Sequence, residues 1–192
     1  MTSWPRSNAA LMRFPQGFRE RLHGHNYVVR VTLAGGLSAD GYVIDFGDVK
    51  EHTTKLCKQW NEHFICPLNS DVMTVAVGDK TVSLTCEDGA IFQFPVGDCL
   101  LLPVVHSTAE ELAVVFADRL IESLTPDYLA LRKISTVQIA VGEHVGQEAL
   151  YTVELATWTG RREIVAGRSP GFTGPCKGCL ENVLHAHTPG AR

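Results

Sequence analysis

Segments with the alternating pattern of β-strands lie near both ends of this chain, and segments with helical spacing lie between them. Residues 27–33 are rich in β-branched side chains, and residues 135–141 and 149–158 have the same character. Residues 42–45 follow a turn and are predicted to return as a hairpin partner for the first strand. Strand pairs on either side of the helices predict an α+β fold with an antiparallel sheet.

The middle of the chain contains two predicted helices and a small predicted meander. Residues 48–64 have apolar side chains at helical spacing, which indicates a helix of about four turns. Ser107 or Thr108 can cap a second helix, whose first turn carries Glu110 and Glu111. Between the helices, residues 72–77, 81–86 and 90–94 are separated by short turns and predict a β-meander.

The composition excludes several classes of function. The 192 residues include 17 lysines and arginines against 21 aspartates and glutamates, so no basic surface is available for a nucleic acid. No apolar run approaches the ~18 residues of a membrane span, and residues 1–8 lack the apolar core of a signal peptide. Six scattered cysteines do not make a disulfide scaffold. The sequence predicts a cytoplasmic protein that acts on a small molecule, with no nucleic-acid or membrane partner.

His23 and His25 are the first candidates for metal chemistry. Alternate residues of a strand point to one face, so two imidazoles at the start of the first strand can converge on one ion. A catalytic zinc site takes three protein ligands and keeps one position open. The alternative is an ordinary pair of surface histidines.

Two further sites carry groups that could transfer protons. His63 follows Glu62 at the end of the first predicted helix, and a histidine beside a carboxylate can relay a proton near neutral pH. The alternative is an ordinary polar pair at a helix end. Glu143 lies between the last two predicted strands and is, taken alone, an ordinary loop acid.

Residues 159–192 are polar and rich in glycine and proline, and they are predicted to form a tail after a domain of residues 1–158. The tail contains the residue types of a zinc knuckle, with His185 closer to the second cysteine than the common spacing: Cys176, Cys179, His185 and His187. The alternative is an unstructured tail with loose thiols.

Five separated motifs resemble the 6-pyruvoyl-tetrahydropterin synthase and 6-carboxytetrahydropterin synthase family. They are E-R-L-H-G-H-N-Y at 20–27, G-Y-V-I-D-F at 41–46, E-H at 62–63 with P-L-N at 67–69, S-T-A-E-E-L-A at 107–113, and V-G-E at 141–143 with A-L-Y at 149–151. The resemblance runs from about residue 8 to residue 158. Residues 72–103 resemble an insertion that some relatives carry.

The resemblance implies the tunnelling fold, a four-stranded antiparallel sheet with two helices on one face. It also implies a homo-oligomer, a trimer or hexamer, with ligand pockets between subunits. The implied chemistry modifies the side chain of 7,8-dihydroneopterin triphosphate, a pterin, with Zn²⁺ as a Lewis-acid cofactor.

The resemblance also implies roles for particular residues. His23 and His25 match two of the family's three zinc ligands. Glu143 matches the glutamate that grips the pterin ring. His63 matches the proton-relay histidine, and Glu62, which orients it, stands where the family usually has aspartate. Two positions near the pterin pocket are matched by Thr108 and Glu110.

The chain departs from the family pattern at three places. Leu11 stands where the first zinc histidine belongs, and leucine cannot ligate a metal. Arg19 stands where the family's synthases have a cysteine, four residues before the first histidine of the pair. Residues 1–7, with Pro5, are predicted to make a poor first strand.

Glu20 is the alternative catalytic group and resembles the branch with the pattern Glu-x-x-His-Gly-His. That branch cleaves the side chain to 6-hydroxymethyl-dihydropterin for folate synthesis. A solvent-facing acid paired with Arg19 or Arg21 is the other interpretation of Glu20.

The leading hypothesis is therefore a zinc-dependent pterin lyase or synthase. A second enzyme hypothesis keeps this scaffold and gives the product of the queuosine pathway. The alternative from another class is a catalytically impaired pterin-binding or assembly subunit of the same fold, because Leu11 removes a ligand.

Overall fold

The computed structural model describes the backbone of residues 2–10 and all of residues 20–163. These residues form nine strands and three α-helices. The strands are β1 (Thr2–Ala10), β2 (His23–Gly35), β3 (Phe64–Pro67), β4 (Met73–Val77), β5 (Thr81–Cys86), β6 (Ile91–Pro95), β7 (Cys99–Leu102), β8 (Ile134–His144) and β9 (Gln147–Glu154). The helices are α1 (Phe46–Trp60), α2 (Ala109–Leu124) and α3 (Pro126–Leu131).

Six strands form one large sheet in the order β7-β3-β1-β2-β8-β9. Strands β1, β2, β8 and β9 pair antiparallel, which agrees with the predicted antiparallel α+β class, whereas β3 and β7 extend the β1 edge as a parallel pair. The predicted four strands are therefore six in the described residues. Every residue of β3 is buried, so its short apolar run shows none of the alternation by which strands are recognised in a sequence.

The predicted hairpin partner at residues 42–45 is wrong, because this segment is an irregular loop. Arg132, which lies about 90 residues later in the chain, binds this loop. Its Nε donates to the Val43 carbonyl and its Nη2 to the Tyr42 carbonyl, both at 2.9 Å. The same guanidinium forms an ion pair with Asp40 at 2.6 Å. Carbonyls bound by a side chain are not available to a neighbouring strand, and the neighbours of β2 are β1 and β8.

The prediction of a poor first strand is also wrong, because β1 occupies residues 2–10 and pairs antiparallel with β2. The register of this pairing shifts between Ser3 and Ser7, and Pro5 lies in that interval. Proline has no N–H to donate, so it is tolerated where the ladder of hydrogen bonds is interrupted. The irregularity allows the strand to continue past the proline.

The first helix begins and ends earlier than predicted. Asp45 caps α1, its Oδ1 accepting a hydrogen bond from the Gly47 N–H at 2.6 Å. The helix ends at Trp60, and Glu62 has a φ of 61°, in the left-handed region that an α-helix does not use. Glu62 and His63 therefore follow α1 in the chain and lie outside it.

The two long helices cover one face of the large sheet. Of the two candidate caps, Ser107 and Thr108, it is Thr108 that caps α2, accepting a hydrogen bond from the Glu111 N–H at 3.4 Å. The helix packs against β8, β9 and α1 and buries Leu112, Phe116 and Leu120 in the main core. No helix in the described residues is long and apolar enough to cross a membrane.

The inserted segment forms a second sheet of three antiparallel strands, β4-β5-β6, as predicted. In β5 buried residues alternate with exposed or half-buried ones, which gives the sheet one apolar face. That face forms a second core with residues of β3 and β7, separate from the main core. The rings of Phe64 and Phe94 stack within it at 4.3 Å between centroids.

Candidate active site

Strand β2 carries one face of the sheet from the apolar core to a polar corner. Its half-buried residues alternate with exposed ones over the first half of the strand. The apolar members of this face that pack against the main core are Val29, Val31 and Leu33. Toward the start of the strand the same face continues with His23, His25 and Tyr27. These three polar side chains lie where the apolar interior of the domain ends, and the region around them is called here the polar corner.

His23 and His25, called here the histidine pair, direct their Nε2 atoms toward one another at 2.8 Å. Nδ1 of His23 lies 2.7 Å from the carbonyl oxygen of Arg21, which can only accept, so Nδ1 carries the proton and Nε2 of this ring holds a lone pair. The Nε2–H of His25 donates to this lone pair, since 2.8 Å is a hydrogen-bond distance. This orientation is typical of histidine ligands, whose second nitrogen is held by a backbone carbonyl.

Glu20 lies beside the histidine pair. One of its carboxylate oxygens is 3.6 Å from Nε2 of His23, and its side chain is half-buried. The structure thus brings together three residues that sequence reasoning had selected for metal binding and base catalysis.

Glu143 and Tyr27 line the same corner from neighbouring strands. Glu143 lies within β8, not in a turn between strands as expected, and it follows Gly142, which is opposite Val28 of β2. The Tyr27 hydroxyl is buried and has no hydrogen-bond partner among the described residues. Burial raises the pKa of Tyr27, and the negative charge of Glu143 raises it further. The corner therefore offers a protonated donor next to an acceptor carboxylate.

His63 approaches the same end of the sheet from the other side. Ala9 of β1 is opposite Gly24 in β2 and also opposite Phe64 in β3. His63 precedes Phe64, so it lies about two strand spacings, roughly 10 Å, from the histidine pair. Its Nδ1 donates to the Asn61 carbonyl at 2.6 Å, which orients the ring.

Thr108 and Glu110 lie at the start of α2, which follows β7. Because β7 and β3 run parallel to β1, α2 begins beyond the end of the sheet where β2 starts and β8 ends. The hydroxyl of Thr108 is used as the helix cap, and Glu110 is exposed in the first turn. In the described residues neither one has a hydrogen bond or ion pair with the histidine pair, so the topology alone places them near it.

The histidine pair fits two positions of a zinc site, and the third is not evident. The described residues contain no group of three or more histidine, cysteine, aspartate or glutamate side chains placed to hold a metal ion. Leu11 lies outside the described residues. So do the four candidate ligands of the tail, Cys176, Cys179, His185 and His187. The roles of all these residues stay predictions.

Two residues of this corner were missed by sequence reasoning. Tyr27 could have been found, because the alternation that links His23 to His25 continues to it. His144 could not: its ring centroid lies 6.5 Å from that of His25, but this neighbourhood depends on an irregularity in β8 that no sequence pattern announced.

Comparison with known proteins shows which family this chain is similar to. A family model described as 6-pyruvoyl tetrahydropterin synthase matches residues 7–154. The 6-carboxy-5,6,7,8-tetrahydropterin synthase of Aquifex aeolicus is 33% identical over 134 residues, which are 69% of this chain and 75% of that protein.

Solved structures of the same kind have the same fold. The crystal structure of 6-pyruvoyl tetrahydropterin synthase from Plasmodium vivax matches with a TM-score of 0.75 and 37% identity, over 80% of this chain and 95% of that one. The Plasmodium falciparum protein matches with a TM-score of 0.74 and 37% identity, over 78% and 91%. A third structure, a P. vivax variant in which a catalytic glutamate is replaced by alanine, is 38% identical with a TM-score of 0.74, over 78% of this chain and 91% of that one.

The chain shares the α+β fold of these pterin synthases: four central strands that pair antiparallel, with two long helices on one face of the sheet. The chain belongs to the 6-pyruvoyl tetrahydropterin synthase family.

Proposed function

We propose that this protein is a zinc-dependent lyase that acts on the side chain of 7,8-dihydroneopterin triphosphate. The observation that supports it most is the histidine pair, whose Nε2 atoms converge 2.8 Å apart beside Glu20. His23 and His25 would hold the zinc ion, which as a Lewis acid makes the hydroxyls of the substrate side chain more acidic.

The other residues of the corner bind and orient the pterin. The Glu143 carboxylate accepts hydrogen bonds from the amino group and a ring N–H of the pterin, a charge-assisted pair that fixes the ring. The Tyr27 hydroxyl, buried beside it and held protonated, donates to an acceptor of the bound ring. His63, oriented by the Asn61 carbonyl, relays protons from the other side of the pocket.

Glu20 is the proposed base, and this choice favours side-chain cleavage. A carboxylate removes the proton of the second side-chain hydroxyl, the bond between the first and second side-chain carbons breaks, and the first carbon takes up a proton. The product is 6-hydroxymethyl-dihydropterin, and the second carbon leaves as an aldehyde. The Plasmodium vivax structures with a replaced catalytic glutamate, 38% identical to this chain, support a glutamate in this role.

The proposal includes assembly as a homo-oligomer, a trimer or hexamer, in the cytoplasm. Large apolar side chains that are exposed on the sheet support it. They include Val28 of β2 and Leu150 of β9, whose relative exposures are 36% and 62%.

The test is turnover of 7,8-dihydroneopterin triphosphate by the full-length protein with added zinc, with separation of the 6-hydroxymethyl, 6-pyruvoyl and 6-carboxy products. We expect the 6-hydroxymethyl product, and we expect Glu20→Gln to lower kcat by about 10²–10⁴-fold, the usual contribution of a general base. Glu154→Gln is the matched control, because Glu154 is an exposed acid on β9 whose carboxylate accepts from Thr136.

Three results would contradict parts of the proposal. Turnover to the 6-pyruvoyl or 6-carboxy product would overturn the cleavage reaction but keep the family chemistry. Equal losses in Glu20→Gln and Glu154→Gln would remove Glu20 from the base role. Pterin binding without any turnover would favour the impaired pterin-binding subunit.

A further inference from the structure

We propose that His144 is a third protein ligand of the zinc ion, together with His23 and His25. This inference rests on the zinc site of the proposed function and adds to it a residue of β8. Zinc sites in enzymes hold the metal with three protein side chains, and two imidazoles alone hold it weakly.

The position of His144 follows from a β-bulge. Gly142 is opposite Glu148 of β9, and His144 is opposite Gln147, so β8 has one residue more than β9 in this interval, and that residue is Glu143. Neighbouring residues of a regular strand point to opposite faces, whereas a bulge re-aims side chains and is common next to active sites. The bulge therefore allows Glu143 and His144 to face the same corner.

Contacts on both residues agree with this placement. The charge of Glu143 acts on the buried Tyr27 hydroxyl of the inner face. The ring of His144 meets the ring of His25 edge-on, with centroids 6.5 Å apart and an interplanar angle of 77°. The rings of the histidine pair meet in the same manner at 4.6 Å. The ring of His25 therefore neighbours two other imidazoles, those of His23 and His144.

The distance between the rings of His25 and His144 is slightly longer than two ligands of one zinc ion require. Two imidazoles bound to one tetrahedral zinc at Zn–N distances of about 2.0–2.1 Å have ring centroids about 5 Å apart. The His144 ring must therefore approach His25 by about 1.5 Å. His144 is exposed at the end of β8, and no hydrogen bond within the described residues holds its ring. The approach requires a rotation of the His144 side chain, which is exposed.

Glu20 is the competing third ligand, because its carboxylate lies 3.6 Å from Nε2 of His23. The bulge favours His144 as the third ligand. This assignment leaves Glu20 available as the base. The two assignments make opposite predictions for single substitutions, and the experiment compares them directly.

The experiment measures zinc affinity of the full-length protein by competition with a chelator, and ligand geometry by the visible spectrum of the Co²⁺-substituted protein. We expect His144→Ala and His144→Gln to weaken zinc binding by at least the 10–100-fold that loss of a supporting residue costs, and to change the Co²⁺ spectrum. Val145→Ala, one residue away and fully exposed, is the matched control and should bind zinc as the wild type does.

The outcomes separate this inference from the proposed function. If the wild type binds zinc and loses it in His23→Ala, while both His144 variants keep it, the role of His144 is overturned and the zinc site stands. If Glu20→Gln weakens binding and His144→Gln does not, Glu20 is the third ligand. If the wild type binds no zinc, the inference and the proposed zinc site both fail.

Discussion

The large sheet and the small inserted sheet are built on the same two-residue alternation, yet only the large one ends in a polar corner. In β5 the buried face is apolar throughout, and its polar residues point outward. In β2 the half-buried face begins with His23, His25 and Tyr27 before it becomes apolar. A polar residue on the outward face of a strand needs no explanation, whereas a row of them on the inward face marks a place where a ligand can be held. Substitutions in the small sheet should therefore affect stability, and substitutions at the polar corner of the large sheet should affect ligand binding.

The largest effect on stability is expected in the small sheet. Leu84 is fully buried in β5, so Leu84→Ala should lower the free energy of unfolding by about 2–5 kcal/mol through lost contacts and a cavity. Urea denaturation measures this, and kcat/KM per folded molecule should stay unchanged. Thr85→Ala on the exposed side of the same strand is the control. A stable Leu84→Ala variant with impaired turnover would break the comparison.

Glu143→Ala should give the opposite result in the large sheet. Removing the carboxylate that is proposed to accept hydrogen bonds from the pterin should weaken binding by about 1.5–3 kcal/mol, roughly 10–100-fold in Kd, with little change in unfolding. Pterin fluorescence titration measures the Kd. Glu148→Ala removes an acid of β9 that pairs with Arg30 at 2.7 Å and should leave the Kd unchanged. Similar losses in the two variants would point to a general effect of charge.

The smallest effect is expected in the pH dependence of stability, through one buried thiol in the main core and one in the second core. Burial raises the pKa of the Cys57 thiol in the main core to about 11, and burial followed by the charge of Asp98 raises that of Cys99 in the second core to about 11. An unfolded thiol loses its proton near pH 8.5, so the stability from each folded thiol is complete below that pH and is lost as pH rises toward 11.

Between pH 7.5 and 9.5 this loss should be about 1 kcal/mol per thiol. Urea denaturation under reducing conditions at these two pH values measures it. Cys57→Ala and Cys99→Ala should each reduce the loss of stability between these two pH values by the amount that one thiol contributes. A change in one variant alone would show that the two interiors differ in how strongly they exclude the thiolate.

Local chemistry made part of the fold predictable. The cap at Thr108 and the turns of the inserted meander depend on residues close together in the chain, and both were predicted from the sequence. The loop at residues 42–45 was mistaken for a strand because Arg132, about 90 residues later, takes the carbonyls of Tyr42 and Val43. Strand β3 was missed because a strand buried on both faces shows no alternation.

The positions of some candidate residues could be predicted from the sequence, whereas their roles stay predictions. The histidine pair follows from strand periodicity, which would also have found Tyr27. Glu62 and His63 were selected as a carboxylate beside a histidine, and the resemblance of motifs added Glu20 and the roles of Thr108, Glu110 and Glu143. That Glu143 and His144 share a corner follows from one extra residue in β8, which is visible only in the pairing of the strands. A single residue of register decides which side chains meet, and the sequence carries no mark of it.

The parallel pairing of β3 and β7 has a consequence for anyone who would redesign the chain. Neighbouring parallel strands cannot be joined by a tight turn, because the chain must return to the end from which the first strand started. The meander is that return path. A version of the protein without β4, β5 and β6 therefore needs a replacement connection of about a dozen residues. The inserted sheet cannot be removed without one, because it connects β3 to β7.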